Sequence, residues 1–145
     1  MITPQYLHYS ASMQIATIQA GAIFQALADE TRLRIIRLMV VTGDESCLCE
    51  LVDSLMEPSY KLSRHLKILR QAGLLSSQKE GRWVYHSLVM KPVYLKQLFA
   101  TVRVLPDIDG IYSADLKRFR ERLCLRVDGR CQVGIQSEEF KAETG

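Results

Sequence analysis

The sequence has no long apolar run. Nothing in its 145 residues approaches the ~20 consecutive apolar positions that a membrane span needs. The first residues lack a basic region followed by an apolar one, so no secretory signal is read there, and a cytoplasmic location is expected. There is no internal repeat, no low-complexity tract and no C-x-x-C box. No glycine-rich strand-to-helix turn is present to cradle a phosphate, and the three histidines (His8, His65, His86) lie apart with no evident nucleophile between them. These absences argue against a thiol enzyme such as a small arsenate or disulfide reductase. Cysteine is sparse, with four residues, Cys47, Cys49, Cys124 and Cys131. In a reducing compartment these read as thiolate ligands or buried thiols rather than permanent disulfides.

What is present is an ordinary apolar fraction of 48%, enough for one compact core. The net charge of +3 is unevenly spread. Residues 59–82 hold six basic side chains against Glu80, a local +5, while the rest sums to −2. A basic patch on a near-neutral body fits a phosphate-binding face.

Periodicity predicts the order of elements. Residues 13–28 are alanine-rich and helix-favouring, after a flexible arm at 1–12. Asp29 stands at an N-cap position before ETRLRIIRLMVV, a second helix with Leu33, Ile36 and Val40 on one face. ESCLCELVDSLM places Leu48, Leu51, Val52 and Leu55 on one side of a third, short helix. Glu57-Pro58 punctuates the chain. A fourth helix then runs to about Ala72 with Leu62, Leu66 and Leu69 inward and Gly73 as its stop. The period changes to a hairpin, with strands over 74–78 and 82–88 and a tip at Lys79-Glu80-Gly81. Two more helices are predicted, after Pro92 to about Val104 and over roughly Ser113–Arg126, with a turn at Asp128-Gly129. The expected fold is mainly α (α+β). It is a winged helix-turn-helix with one β-hairpin wing over 13–105, a C-terminal helix and cysteine-bearing extension over 106–131, and a flexible tail over 132–145.

In SYKLSRHLKILRQAG the face opposite the leucines carries candidate DNA contacts. Ser59, Tyr60, Lys61, Ser63, Arg64 and Lys67 would reach bases or phosphates from the N-terminal half of a recognition helix. Lys79 and Arg82 suit a wing that touches phosphate or the minor groove. Of the wing aromatics, Trp83 and Tyr85 are expected to pack inward.

Together, FQALADETRLRIIRLM, the CLCEL box, KLSRHLKILRQAGLL and KEGRWVYHSL resemble the ArsR/SmtB family of bacterial repressors, in unbroken order over residues 22–99. The resemblance implies a homodimer built through the first and the post-wing helices. It also implies operator double-stranded DNA as partner, and an inducer that lowers operator affinity. No cofactor is then needed for DNA binding. The family's arsenic sensors carry a C-x-C box where Cys47 and Cys49 stand, often with a third cysteine three residues on. Here that position is Val52. A similar D-G-R-C tail in some relatives favours Cys131 as the third thiolate for As(III) or Sb(III), with Cys124 the other candidate. Cys124, among Leu116, Phe119 and Leu123, has a core-like setting.

Zinc-sensing members use histidine on the post-wing helices, and residues 92–131 contain none. A cadmium, lead or zinc site and a thiol-redox sensor remain alternatives. Residues i and i+2 of a regular helix point about 200° apart. Cys47 and Cys49 can therefore chelate one ion only if the helix end unwinds or Cys47 lies outside it. The first case would let an ion distort the turn that buttresses the recognition helix.

Overall fold

The computed structural model describes residues 20–144. The arm expected over 1–12, and the first part of the helix expected over 13–28, lie outside them. The described remainder of that helix, α1 (20–27), buries Ile23, Ala26 and Leu27. Helix α2 (Glu30–Thr42) starts where Asp29 accepts a hydrogen bond from the Arg32 amide at 3.0 Å. It ends at Gly43, whose φ of 71° closes the helix in the left-handed region. Its most buried residues are Ile35, Ile36, Leu38 and Met39, a broader face than the sequence periodicity marked, because other helices cover it on two sides.

Helix α3 (Leu48–Leu55) and helix α4 (Ser59–Gln71) form the helix-turn-helix, joined through Met56 and Pro58. The leucine stripe of α4 is fully inward, as expected: Leu62, Leu66 and Leu69 are buried. The wing is β2 (Leu75–Glu80) paired antiparallel with β3 (Trp83–Leu88). Its tip is Gly81-Arg82, two residues further on than the sequence signals placed its start; Lys79 lies in the strand instead. Tyr85 is buried, Trp83 half-buried and Val84 exposed.

The sheet also has a third strand that the sequence reading did not contain. Residues Ser46–Cys47 form β1, and Cys47 stands opposite Tyr85 of β3. A two-residue strand is too short to show a period of two, so pairing with β3 defines it.

Helix α5 (Val93–Arg103) packs on α2, and α6 (Ile111–Leu123) on α3 and α2. From α6 onward the chain carries an arginine at every fourth position, and each reaches the α3 region. Arg118 donates to the Ser54 carbonyl at 2.6 Å, and Arg122 pairs with Asp53 at 2.6 Å. Arg126 pairs with Glu50, and Arg130 with Glu45. Spacing of four puts Arg118 and Arg122 on one helical stripe, turns beyond Leu123 carry it to Arg126, and Arg130 follows from the bridged turn after it.

The tail expected to be flexible over 132–145 is instead packed down along 133–140. Asp53 accepts from the amides of Gln136 and Ser137, and Arg122 donates to the carbonyls of Val133 and Gly134. Ile135 and Phe140 are buried. The polar composition of that stretch concealed two apolar anchors and a buried ion pair to which its backbone is tied.

Candidate inducer site and DNA-facing surface

Three of the four cysteines meet at one end of the arginine stripe. Cys47 has extended backbone (φ −90°, ψ 158°) and serves as the N-cap residue of α3. It therefore lies outside the helix, while Cys49 sits in the first turn. This is the second of the two geometries the box permitted, and it brings the thiols together without unwinding. Strand pairing to β3 holds Cys47 extended. Its amide donates to the Glu50 carboxylate at 2.9 Å.

Cys131 arrives from the other side. Asp128 and Gly129, both with positive φ (53° and 73°), make a tight turn that bridges Val127 and Arg130. The Cys131 amide then donates to the Tyr85 hydroxyl at 2.9 Å, and its Sγ comes 3.1 Å from that of Cys47. A disulfide bond would be about 2.05 Å, so these are two thiols in contact. Cys49 completes the trio, its Sγ 3.7 Å from the Val133 carbonyl. All three are buried.

Cys124 does not join them. It is exposed at the C-cap of α6, and its thiol donates to the Arg120 carbonyl at 3.4 Å. The core-like setting expected for it is absent because Phe119 takes the inward position and Cys124 falls more than a turn away on the outer side.

Electrostatics make the trio a shared-proton site. Cys49 is drawn down to about 4, by hydrogen bonds from the Cys131 and Cys47 thiols, against its burial and with help from the Arg122 charge. Cys47 is pushed up, by its contacts to Cys131 and Cys49 and by burial. Cys131 is also raised: the Cys47 contact lowers it, but the Cys49 contact and burial outweigh that. Of the three, Cys49 is the thiol most readily ionised. Two sulfurs in contact, with the Cys49 thiol as hydrogen-bonding neighbour of both, are a donor set for a thiophilic ion. Cys47 and Cys49 also face a cavity of about 770 Å³ that is bounded by Leu66 and Arg70 of α4, by Trp83 of the wing and by Ile135 of the tail. It gives the site a route to solvent between the recognition helix and the wing.

The residues expected to meet DNA fall on α4 and the wing. Tyr60, Ser63, Arg64 and Lys67 are exposed on the face of α4 away from the leucines. Lys61 is half-buried and paired with Glu57 at 3.0 Å. Ser59 is buried at the first turn, not on the exposed face where the sequence reading put it, because the preceding Pro58 turns the chain inward there. Lys79 and Arg82 are exposed on the wing, with Arg82 stacked over the Trp83 ring at 4.7 Å. His65 lies beside the leucine stripe, its Nδ1 3.1 Å from an Arg32 guanidinium nitrogen.

Six described α-helices, two of them a helix-turn-helix, and a β-wing with a cationic outer face define a winged-helix DNA-binding regulator. The family model described as bacterial regulatory protein, arsR family, matches residues 29–77. An uncharacterized helix-turn-helix transcriptional regulator of Methanocaldococcus jannaschii is 39% identical over 71 residues, which are 49% of this chain and 79% of that protein. The arsenical resistance operon repressor of Escherichia coli is 47% identical over 66 residues, which are 46% of this chain and 56% of the repressor. The chain thus spans little more than half the length of that repressor. Among solved structures, reduced HlyU from Vibrio cholerae matches with a TM-score of 0.53 and 27% identity, over 63% of this chain and 92% of HlyU. The chain belongs to the ArsR family of bacterial regulatory proteins, which are DNA-binding transcriptional regulators and not enzymes. Among the described residues no helix is long and apolar enough to cross a membrane.

What the sequence reading missed was the partner side of the site: Glu50, Arg122, Arg126 and Tyr85. The spacing of the four arginines from 118 to 130 was the available signal.

Proposed function

We propose that the chain is a homodimeric repressor that leaves its operator when As(III) or Sb(III) is captured by Cys47, Cys49 and Cys131. The observation that carries this reading is the meeting of those three thiols, two from the C-x-C box and one from the far end of the chain. Arsenous acid would exchange its three hydroxyls for three sulfurs. Three As–S bonds form as three As–O bonds break, and the three thiol protons leave with the hydroxyls as three waters.

The ion would lock β1 and the start of α3 to the turn at Asp128–Cys131. Helix α3 packs on α4, so a shift of its first turn reaches Tyr60, Ser63 and Arg64. Coupling of about 1–3 kcal/mol is typical of such linkage. Unwinding of α3, one of the two routes open from the sequence, is not required by this geometry, and β1 against the wing becomes a second lever. Exposed Phe24 on α1, Val93 and Tyr94 on α5, and Val104 after it offer apolar surface for a second copy. A dimer would then present two α4 helices to half-sites about 34–36 Å apart.

The test is operator release. Arsenite should free a fluorescent operator fragment from the wild-type chain and fail to do so from Cys47→Ser. Equal release from both would end the reading.

A further inference from the structure

Glu50 is a potential fourth ligand of the same site. One of its carboxylate oxygens and the Sγ atoms of Cys47 and Cys131 lie within 4.8 Å of one another, all buried. Thiolates plus a carboxylate are a donor set that divalent ions such as zinc accept in tetrahedral geometry. Yet both oxygens of Glu50 are engaged. Oε1 accepts from the Cys47 amide at 2.9 Å and from Arg126 Nη2 at 2.8 Å, and Oε2 accepts from Arg126 Nε at 2.7 Å. Arg126 is itself fixed, donating to the Glu45 carbonyl at 2.7 Å.

We propose that Arg126 determines which ions the site takes, by occupying the carboxylate of Glu50 beside the sulfurs and so withholding it as a ligand. This rests on the thiol trio being the ion site. A trivalent arsenic or antimony centre carries a lone pair and is complete with three donors in a pyramid. Zinc and cadmium seek a fourth. To supply it, Glu50 would have to break a bidentate, charge-assisted pair and leave the Arg126 guanidinium buried without its counter-charge. That cost falls on the divalent ion alone.

The experiment compares the full-length wild type with Arg126→Met, Arg126→Lys and the double variant Glu50→Gln/Arg126→Met. Cadmium is titrated by its thiolate charge-transfer absorbance, and its ligands are read by the ¹¹³Cd chemical shift, which separates all-sulfur from mixed sulfur–oxygen coordination. Arsenite is titrated in parallel. In Arg126→Met, cadmium affinity should rise about 10–100-fold, the range by which outer-sphere partners tune metal sites, and the shift should move toward mixed coordination. Arsenite affinity should change little. The double variant should lose the gain. Arg126→Lys, which keeps a charge but not the fork, should give a smaller gain and covers the case in which Arg126→Met does not fold. Unchanged cadmium affinity in both single variants, a gain that persists in the double variant, or an oxygen ligand already present in wild type would each overturn the proposal. Cadmium reports thiol ligation whether or not arsenite is the inducer. Arsenite binding that is indifferent to Cys47 therefore sinks the parent reading separately.

Discussion

The thiol of Cys131 lies 3.1 Å from that of Cys47, across 84 positions of sequence. The contact depends on two local devices. Strand β1 keeps Cys47 extended ahead of α3, and the Asp128-Gly129 turn, anchored by Arg126 and Arg130, aims Cys131 back at it.

Cysteine substitutions should therefore separate sharply. Cys49→Ser and Cys131→Ser should leave operator affinity within about twofold and abolish release by arsenite, as one absent soft donor removes a chelate arm. Cys124→Ser should behave as wild type in both respects, because its exposed thiol is remote from the trio. Anisotropy titrations of labelled operator, with and without arsenite, read all three. Loss of induction in Cys124→Ser would contradict the assignment.

Stability should hinge on Asp53. Its carboxylate takes the Arg122 guanidinium and the amides of Gln136 and Ser137, and the pair is nearly water-free. Asp53→Ala strands a buried charge and releases the tail, so a loss of about 3–5 kcal/mol is expected. Urea denaturation of the two proteins measures it. A loss below about 1 kcal/mol would place the pair in the weak, exposed class.

These two relationships mark the boundary of what the sequence made legible. Local signals were faithful: the Asp29 cap, the Gly73 stop, Pro58, and the leucines of α4 all appear as expected. Their physics acts within one turn of helix. The C-x-C box also constrained its own answer, since an i, i+2 pair cannot chelate from inside a helix, and Cys47 is indeed outside it. What did not show was anything fixed by distant partners. Two residues of β1 carry no periodicity, and the buried arginine–carboxylate pairs look like ordinary surface charge until their partners are known. The tail at 133–140 reads as polar because its anchors, Ile135 and Phe140, are only two. Cys124 was misread in the opposite sense, an apolar neighbourhood in sequence that the helix directs to solvent.

Acid should destabilise the fold through His86. Burial pushes this imidazole down to about 4, with the Arg70 charge adding to it, and its Nδ1 has no hydrogen-bond partner among the described residues. A depressed histidine favours the fold while neutral. Its contribution is complete above about pH 6.5 and is lost as pH falls toward 4, a difference of about 3 kcal/mol at 1.36 kcal/mol per unit. The unfolding free energy of wild type should fall by that much more than that of His86→Leu between pH 7 and pH 4. Parallel pH profiles for the two would remove His86 as the cause.

On the DNA face, wing and helix should differ in kind. Lys79→Ala and Arg82→Ala should weaken binding to all sequences alike and each reduce the slope of log affinity against log salt by about one. Arg64→Ala should cost about 1–3 kcal/mol on the operator and less on unrelated DNA if it forks onto a base. Salt titrations on operator and scrambled duplexes distinguish the two patterns.

The most direct measurement of the central claim is arsenic K-edge X-ray absorption on the arsenite-loaded protein. Three sulfur neighbours are predicted for the wild type, falling to two sulfurs and an oxygen in Cys131→Ser. Three sulfurs in Cys131→Ser, or oxygen neighbours in the wild type, would contradict the account.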